Sequence, residues 1–192
     1  MLAEAASILP AQGTGGTSAP PGHPFFGAAF LFVGSLLVVE MLAGAVWRRS
    51  RLRTMLWPAS LIAAGLGLLV VVCVQPTERS LHLALALLLL MGGVTEGRYR
   101  LGHIPRSTAD VVAIPSLVLG GLVIGPMHAN GPLLSSVAAQ THLLVGVVGF
   151  LLAAIRFLQV RLGYAPALDA TFGAGVMALG FSLLLVEQLH HH

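Results

Sequence analysis

The sequence predicts an all-α integral membrane protein, a bundle of about six transmembrane helices. Two observations carry that expectation. Hydrophobic residues make up 56% of the chain and charged residues only 9%, with mean hydropathy +0.90. A soluble domain carries roughly 25% charged residues because its surface must be wetted. The apolar residues also fall into six runs, each bounded by charge or by turn residues. Six spans of about 20 residues use some 120 positions, which leaves a tail and short loops and no second domain.

The runs are taken in chain order. Residues 1–24 are rich in Gly, Pro, Ser and Thr from Gln12 to Gly22 and lack a basic segment ahead of an apolar core. They read as a flexible tail rather than a secretory signal. Helix 1 is expected over Phe25–Trp47, interrupted by Glu40, and helix 2 over Met55–Val74, followed by Gln75-Pro76. Helix 3 is expected from Leu81 to Thr95, short for a span, so its flanks should dip into the interface. Helix 4 is expected over Val111–Met127, with Pro115 in its first turns, where a missing N–H costs least. Helix 5 is expected over Ser135–Leu158 and helix 6 over Ala167–Val186, so the transmembrane domain spans 25–187. Residues 188–192 form a tail; His190, His191 and His192 resemble the remnant of a purification tag and are left out of the functional reading. The glycine pairs Gly65/Gly67, Gly92/Gly93, Gly120/Gly121 and Gly173/Gly175 favour close approach of helices in a membrane.

Basic residues set the expected orientation. All ten are arginine, and nine of them (Arg48, Arg49, Arg51, Arg53, Arg98, Arg100, Arg106, Arg156 and Arg161) fall on one side of the bundle. Arg79 stands alone on the other. Short cytoplasmic loops are enriched in Lys and Arg, so both termini should face away from the cytoplasm, in a plasma (inner) membrane. Arginines in short loops do not form the basic face that nucleic acid requires, so nucleic acid is not an expected partner. The expected partners are the lipid bilayer and other membrane subunits.

That orientation sorts the polar residues by depth. His23, His82, His128 and His142 fall toward the outer level, and only His103 belongs to the arginine side. Cys73, Met127 and Glu187 share the outer level. Imidazole, thiol, thioether and carboxylate are the side chains that bind transition metals, with the softer ones favouring copper. The candidate metal site is therefore His82, His128 and His142, with Glu187, Met127 or Cys73 completing the shell. Such a site needs helices 3, 4 and 5 to meet at that level. The competing reading is of ordinary interfacial histidines, with ring on apolar chain and one end wet. No local spacing specifies a metal: Cys-x-x-Cys and His-Glu-x-x-His are absent.

Glu40 is the other ionisable group inside a span, and it should face the bundle interior, since a carboxylate facing lipid costs about 2.5–3.5 kcal/mol on insertion scales. Glu96, Asp110 and Asp169 lie on the arginine side, where Arg98 and Arg100 are the expected partners. Nucleophilic catalysis finds little support, because no acid is placed to orient His82 or His142 beside Ser80 or Ser136. Gly13-Thr14-Gly15-Gly16 lacks the lysine and following helix of a phosphate loop.

Two stretches resemble the transmembrane-protein-45 type family of small multi-span membrane proteins. One is Gly22-His23 leading to Gly27, Phe30 and Gly34; the other is His128-Ala129-Asn130-Gly131-Pro132-Leu133 followed by His142-Leu143-Leu144. That family carries a doubled histidine before the glycine and another ahead of the Leu-Leu pair, and here each is single. The resemblance covers about a quarter of the chain and implies a helical bundle with histidines at its outer side, without an activity. The expectation is thus a small membrane protein that binds a transition metal, copper first, as a metal-handling protein or as a subunit of a larger complex. The alternatives are a haem b electron-transfer protein with His82 and His142 as axial ligands, and a structural subunit without ligand.

Overall fold

A computed structural model describes residues 22–74, 79–125 and 137–190. The described residues form six α-helices: α1 (Gly22–Arg48), α2 (Arg51–Val74), α3 (Arg79–Arg100), α4 (Arg106–Ile124), α5 (Val137–Leu162) and α6 (Pro166–His190). All six are long and apolar enough to cross a membrane. Large apolar side chains are more than half exposed all around the outside, among them Phe32, Leu42, Leu66, Val111 and Phe181. Such a surface is stable only against lipid or another apolar face.

The helices form a ring. Each packs on its two neighbours in chain order, and α6 closes the ring against α1; among the described residues the backbones of non-neighbouring helices do not approach one another. Glycine sets three of the seams. Between the antiparallel α1 and α6, a Cβ on Gly180 would lie 2.6 Å from the Gly27 carbonyl oxygen and from the Leu31 nitrogen. A Cβ on Gly34 would lie 2.6 Å from the Met177 nitrogen. Between α2 and α3, Gly93 sits against the Pro58 carbonyl and Ile62, and between α4 and α5, Gly146 meets Gly121 and Gly125 backbone to backbone. Without a hydrophobic force between helices in lipid, such backbone contact is a main source of association.

The paired glycines of the sequence separate by role. Gly93 and Gly121 pack on a neighbouring helix, whereas Gly92 and Gly120 would carry a Cβ into open space and line the central cavity. Successive helical residues point about 100° apart, so one glycine of each pair closes a seam and the other widens the interior.

Of the helix ends that differ from expectation, three lie beside the ion pairs of the arginine end; α2 also begins earlier, at Arg51, and α6 runs on to His190. Helix α3 was expected to stop at Thr95, before its charges, and α4 to start at Val111, after them. Instead α3 runs on through Glu96 and Arg100 and ends in a Schellman motif at Gly102 (φ 76°), where His103 N–H bonds the Arg98 carbonyl at 2.9 Å and Gly102 N–H the Tyr99 carbonyl at 2.9 Å. Helix α4 begins directly after Pro105, which places Pro115 mid-helix rather than in the first turns. Helix α5 continues to Leu162 and stops at Gly163 (φ 86°). Extra turns of α3 and α4 thus carry charge inward, and that of α5 carries the Gln159 amide inward, at the same end of the ring. The long apolar stretch of α1 is kinked at Gly44 (φ 52°, ψ −121°), four residues past Glu40. The expected helix 4 residue Met127 and the expected start of helix 5 at Ser135 lie outside the described residues.

Candidate functional site

A buried ionic layer lies at the arginine end of the ring. Glu96 on α3 is its centre, with a side chain only 5% exposed. Its carboxylate meets Arg100 Nε at 3.0 Å, Arg106 Nη1 at 3.3 Å and Arg156 Nη2 at 3.6 Å, three guanidinium groups from α3, α4 and α5. Asp110 on α4 takes Arg156 Nη2 at 3.0 Å and Arg106 Nε at 3.4 Å. Arg100 reaches across to α1, donating from Nη1 to Glu40 Oε1 at 2.8 Å and to the Thr54 carbonyl of α2 at 3.1 Å. Gln159 links onward, accepting from Arg156 Nη1 at 3.1 Å and donating to Asp169 Oδ1 at 2.7 Å on α6. Every helix of the ring thus contributes at least one group.

Aromatic rings cover the guanidinium faces. Arg106 lies between Tyr99 (4.6 Å) and Tyr164 (4.4 Å), and Arg100 stands 5.2 Å from the Trp57 ring centre. A desolvated cation gains about 2 kcal/mol from such a face, which offsets part of its lost hydration. Tyr164, in the loop between α5 and α6, donates its hydroxyl to Asp110 Oδ2. Burial pushes this phenol above its ordinary range, and the bond to Asp110 pushes it further.

Above the layer lies a cavity of about 870 Å³ inside the ring. Its walls are apolar through the middle, with Phe26, Phe30, Val33, Leu61, Leu89 and Val145 among them. On α3 the lining runs from Arg100 back to His82; eighteen residues at 1.5 Å rise make a length of about 27 Å. At the polar end, Trp57 Nε1 and Glu40 Oε2 line or border the cavity, are shielded from water, and make no hydrogen bond among the described residues.

The predicted site residues fare unevenly. Glu40 faces inward as expected, held by Arg100. The partner expected for Glu96 was Arg98 or Arg100; Arg100 takes that place with Arg106 and Arg156, while Arg98 is exposed. His82 and His142 both line the cavity, His142 buried. His128 lies outside the described residues, as does the side chain of Glu187, whose backbone belongs to α6. Cys73 is exposed, and His103 lies exposed in the loop at the arginine end. The backbones of α3 and α5 do not pack directly, since α4 stands between them in the ring, and both helices send side chains into the shared cavity. Among the described residues no three His, Cys, Asp or Glu side chains stand together as a metal-ligand group.

The ionic layer itself was missed by sequence reasoning. Its signal was present as helical spacing: Glu96/Arg100 and Arg106/Asp110 are i,i+4 pairs and Arg156/Gln159 an i,i+3 pair, each on one helix face. Fold and site together define a class, a six-helix membrane ring around a largely apolar cavity lined at one end by ion pairs. No family model, no curated protein and no solved structure matches the chain.

Proposed function

We propose that the protein is a membrane-embedded binding protein for an elongated amphipathic molecule. The ligand's apolar body lies along the cavity, and its polar head lies at the Trp57–Arg100–Glu40 end. The observation that carries this reading is the cavity's polarity: apolar through its middle, with the unpartnered Trp57 Nε1 and Glu40 Oε2 at the arginine end and the imidazoles of His82 and His142 toward the other. A few polar groups converging on a mostly apolar pocket are the usual anatomy of a small-molecule site. In this reading the arginine end faces the cytoplasm, both termini lie outside, and the membrane is the plasma membrane, following the arginine distribution.

The test uses protein extracted with its surrounding lipid into polymer nanodiscs, followed by mass spectrometry of what co-purifies. A stoichiometric amphiphile is expected with the parent chain and should be lost from Gly120→Leu. That leucine enters open cavity and meets no neighbour within 4 Å of its Cβ, so the fold should be retained. Equal retention by parent and variant would remove the reading.

A second reading is favoured by His82 and His142 sharing one cavity from α3 and α5. Haem b held between them, or copper on the same imidazoles, places electron transfer or metal handling in the outer half of the ring. The optical spectrum and metal content of the same preparation test it. A Soret band or stoichiometric copper that disappears in His142→Ala supports it, and neither signal in the parent protein excludes it.

A further inference from the structure

The inference concerns the head group and rests on the cavity reading above. We infer that the ligand is a neutral lipid whose head is a hydroxyl, neither an anionic nor a cationic amphiphile.

The first argument is charge. The buried layer holds three guanidinium groups, Arg100, Arg106 and Arg156, and three carboxylates directly paired with them, Glu40, Glu96 and Asp110. Asp169 is the fourth acid. It lies in the first turn of α6, where the free amide ends of the helix compensate a negative charge. Arg48 and Arg51 border the mouth of the cavity but are exposed, so water screens them. The layer is therefore balanced without any ligand. A charged head entering it would be uncompensated in a medium of low dielectric, where a charge is stable only when paired.

The second argument is hydrogen bonding. Among the buried atoms without a hydrogen bond, Arg106 Nε and Asp110 Oδ1 face each other at 3.4 Å within the ion pairs, and Arg156 Nε belongs to a guanidinium already held by Asp110. Two more are Trp57 Nε1–H, with nothing to donate to, and Glu40 Oε2, with nothing to accept from. Both stand beside Arg100, the indole ring 5.2 Å from its guanidinium carbon and the carboxylate on its Nη1 at 2.8 Å. A hydroxyl is the smallest group that does both, accepting from Trp57 through a lone pair and donating its proton to Glu40. A carboxylate offers no donor to Glu40 and repels it; an ammonium offers no acceptor to Trp57 and faces Arg100. Burying the two orphaned groups unsatisfied is costly, so the hydroxyl gains at both.

The test is equilibrium binding of radiolabelled 1-hexadecanol, hexadecanoate and hexadecylamine to the full-length purified protein, three probes with one chain and different heads. The alcohol is expected to bind saturably and at least about tenfold tighter than either charged probe, because neither finds a counter-charge. Trp57→Phe should weaken the alcohol by about twofold to tenfold, the scale of one hydrogen bond. Glu40→Gln removes one negative charge from a balanced layer, so the preference for alcohol over hexadecanoate should narrow by at least about tenfold. A merely structural role for Glu40 would lower all three affinities together. Preference for hexadecanoate or hexadecylamine in the parent protein, or no preference, overturns the hydroxyl head and leaves the cavity reading intact. Failure of all three to bind, or unchanged binding in Gly120→Leu, overturns the cavity reading and this inference with it. Mass analysis of lipid carried through purification then separates a glycerolipid from an isoprenoid alcohol as the source of the hydroxyl.

Discussion

Replacing Glu96 with glutamine changes one charge and almost no volume, at the point where three arginines meet. In the parent protein the carboxylate, 5% exposed, is shared by Arg100 at 3.0 Å, Arg106 at 3.3 Å and Arg156 at 3.6 Å. In Glu96→Gln the three guanidinium groups retain Glu40 and Asp110, so one buried positive charge is left uncompensated. Removing one partner of a buried ion pair costs about 3–5 kcal/mol. For a chain of this length each kcal/mol moves the unfolding midpoint by about 2–4 °C, which predicts a fall of roughly 6–20 °C. The assay is thermal loss of the monodisperse peak in detergent, with Arg98→Gln as the matched control. Arg98 is exposed two residues along the same helix, and its removal should cost no more than about 0.5 kcal/mol. A double variant, Glu96→Gln with Arg156→Met, restores the balance of charge and should recover a large part of the loss. A midpoint in Glu96→Gln equal to that of Arg98→Gln, or a double variant that loses the sum of both single effects, would refute the account of the layer as a balanced buried network.

Two further outcomes are expected. Tyr164 should ionise above the ordinary phenol value of about 10, since burial and its bond to Asp110 both favour the neutral form. Its stabilising contribution is complete below about 10 and is lost as pH rises through the elevated value. The ultraviolet titration step that disappears in Tyr164→Phe should therefore lie above the ordinary phenol value; a lost step at or below about 10 would contradict it. In intact cells a membrane-impermeant maleimide should label native Cys73, which is exposed, and should not label His103→Cys in a Cys73→Ser background. Labelling at 103 without permeabilisation reverses the orientation.

The fold was legible because lipid imposes a simple rule on sequence. A segment that crosses a bilayer must be apolar over its length and satisfy its own backbone, and all six such segments appear as apolar runs. The error lay in letting charge end a helix. Glu96, Arg100, Arg106 and Asp110 fall in the loop that the sequence predicts between helices 3 and 4, because isolated charges in a span are expensive. They are helical because they are not isolated: each has its partner across the ring. The stop signals stood a few residues further on, at Gly102, Pro105 and Gly163. Glycine and proline end helices through backbone geometry, a local property, whereas the cost of a charge depends on neighbours that a linear reading does not see.

The same distinction explains the two candidate sites. The histidines drew attention as metal-binding side chains at one depth, and depth is legible from topology. Which residues share a cavity depends on the order of helices around the ring and on the face each side chain takes, and the described histidines of α3 and α5, His82 and His142, line one cavity although α4 separates their backbones. The arginines were read only as a count that sets orientation, which ignores where each points. Three of the nine turn inward, and they are the ones with an acidic or amide residue three or four positions away on the same helix: Arg100 after Glu96, Arg106 before Asp110, Arg156 before Gln159. Arg49 and Arg98 lack that spacing and are exposed. A polar pair at helical spacing within the last turns of a span therefore marks an inward face, because lipid would leave both members unsatisfied while a neighbouring helix can complete them. On this argument the arginine-bearing ends of α3, α4 and α5 are positioned by their charges, and the apolar cavity beyond is kept open by glycines at 92 and 120 that pack on nothing.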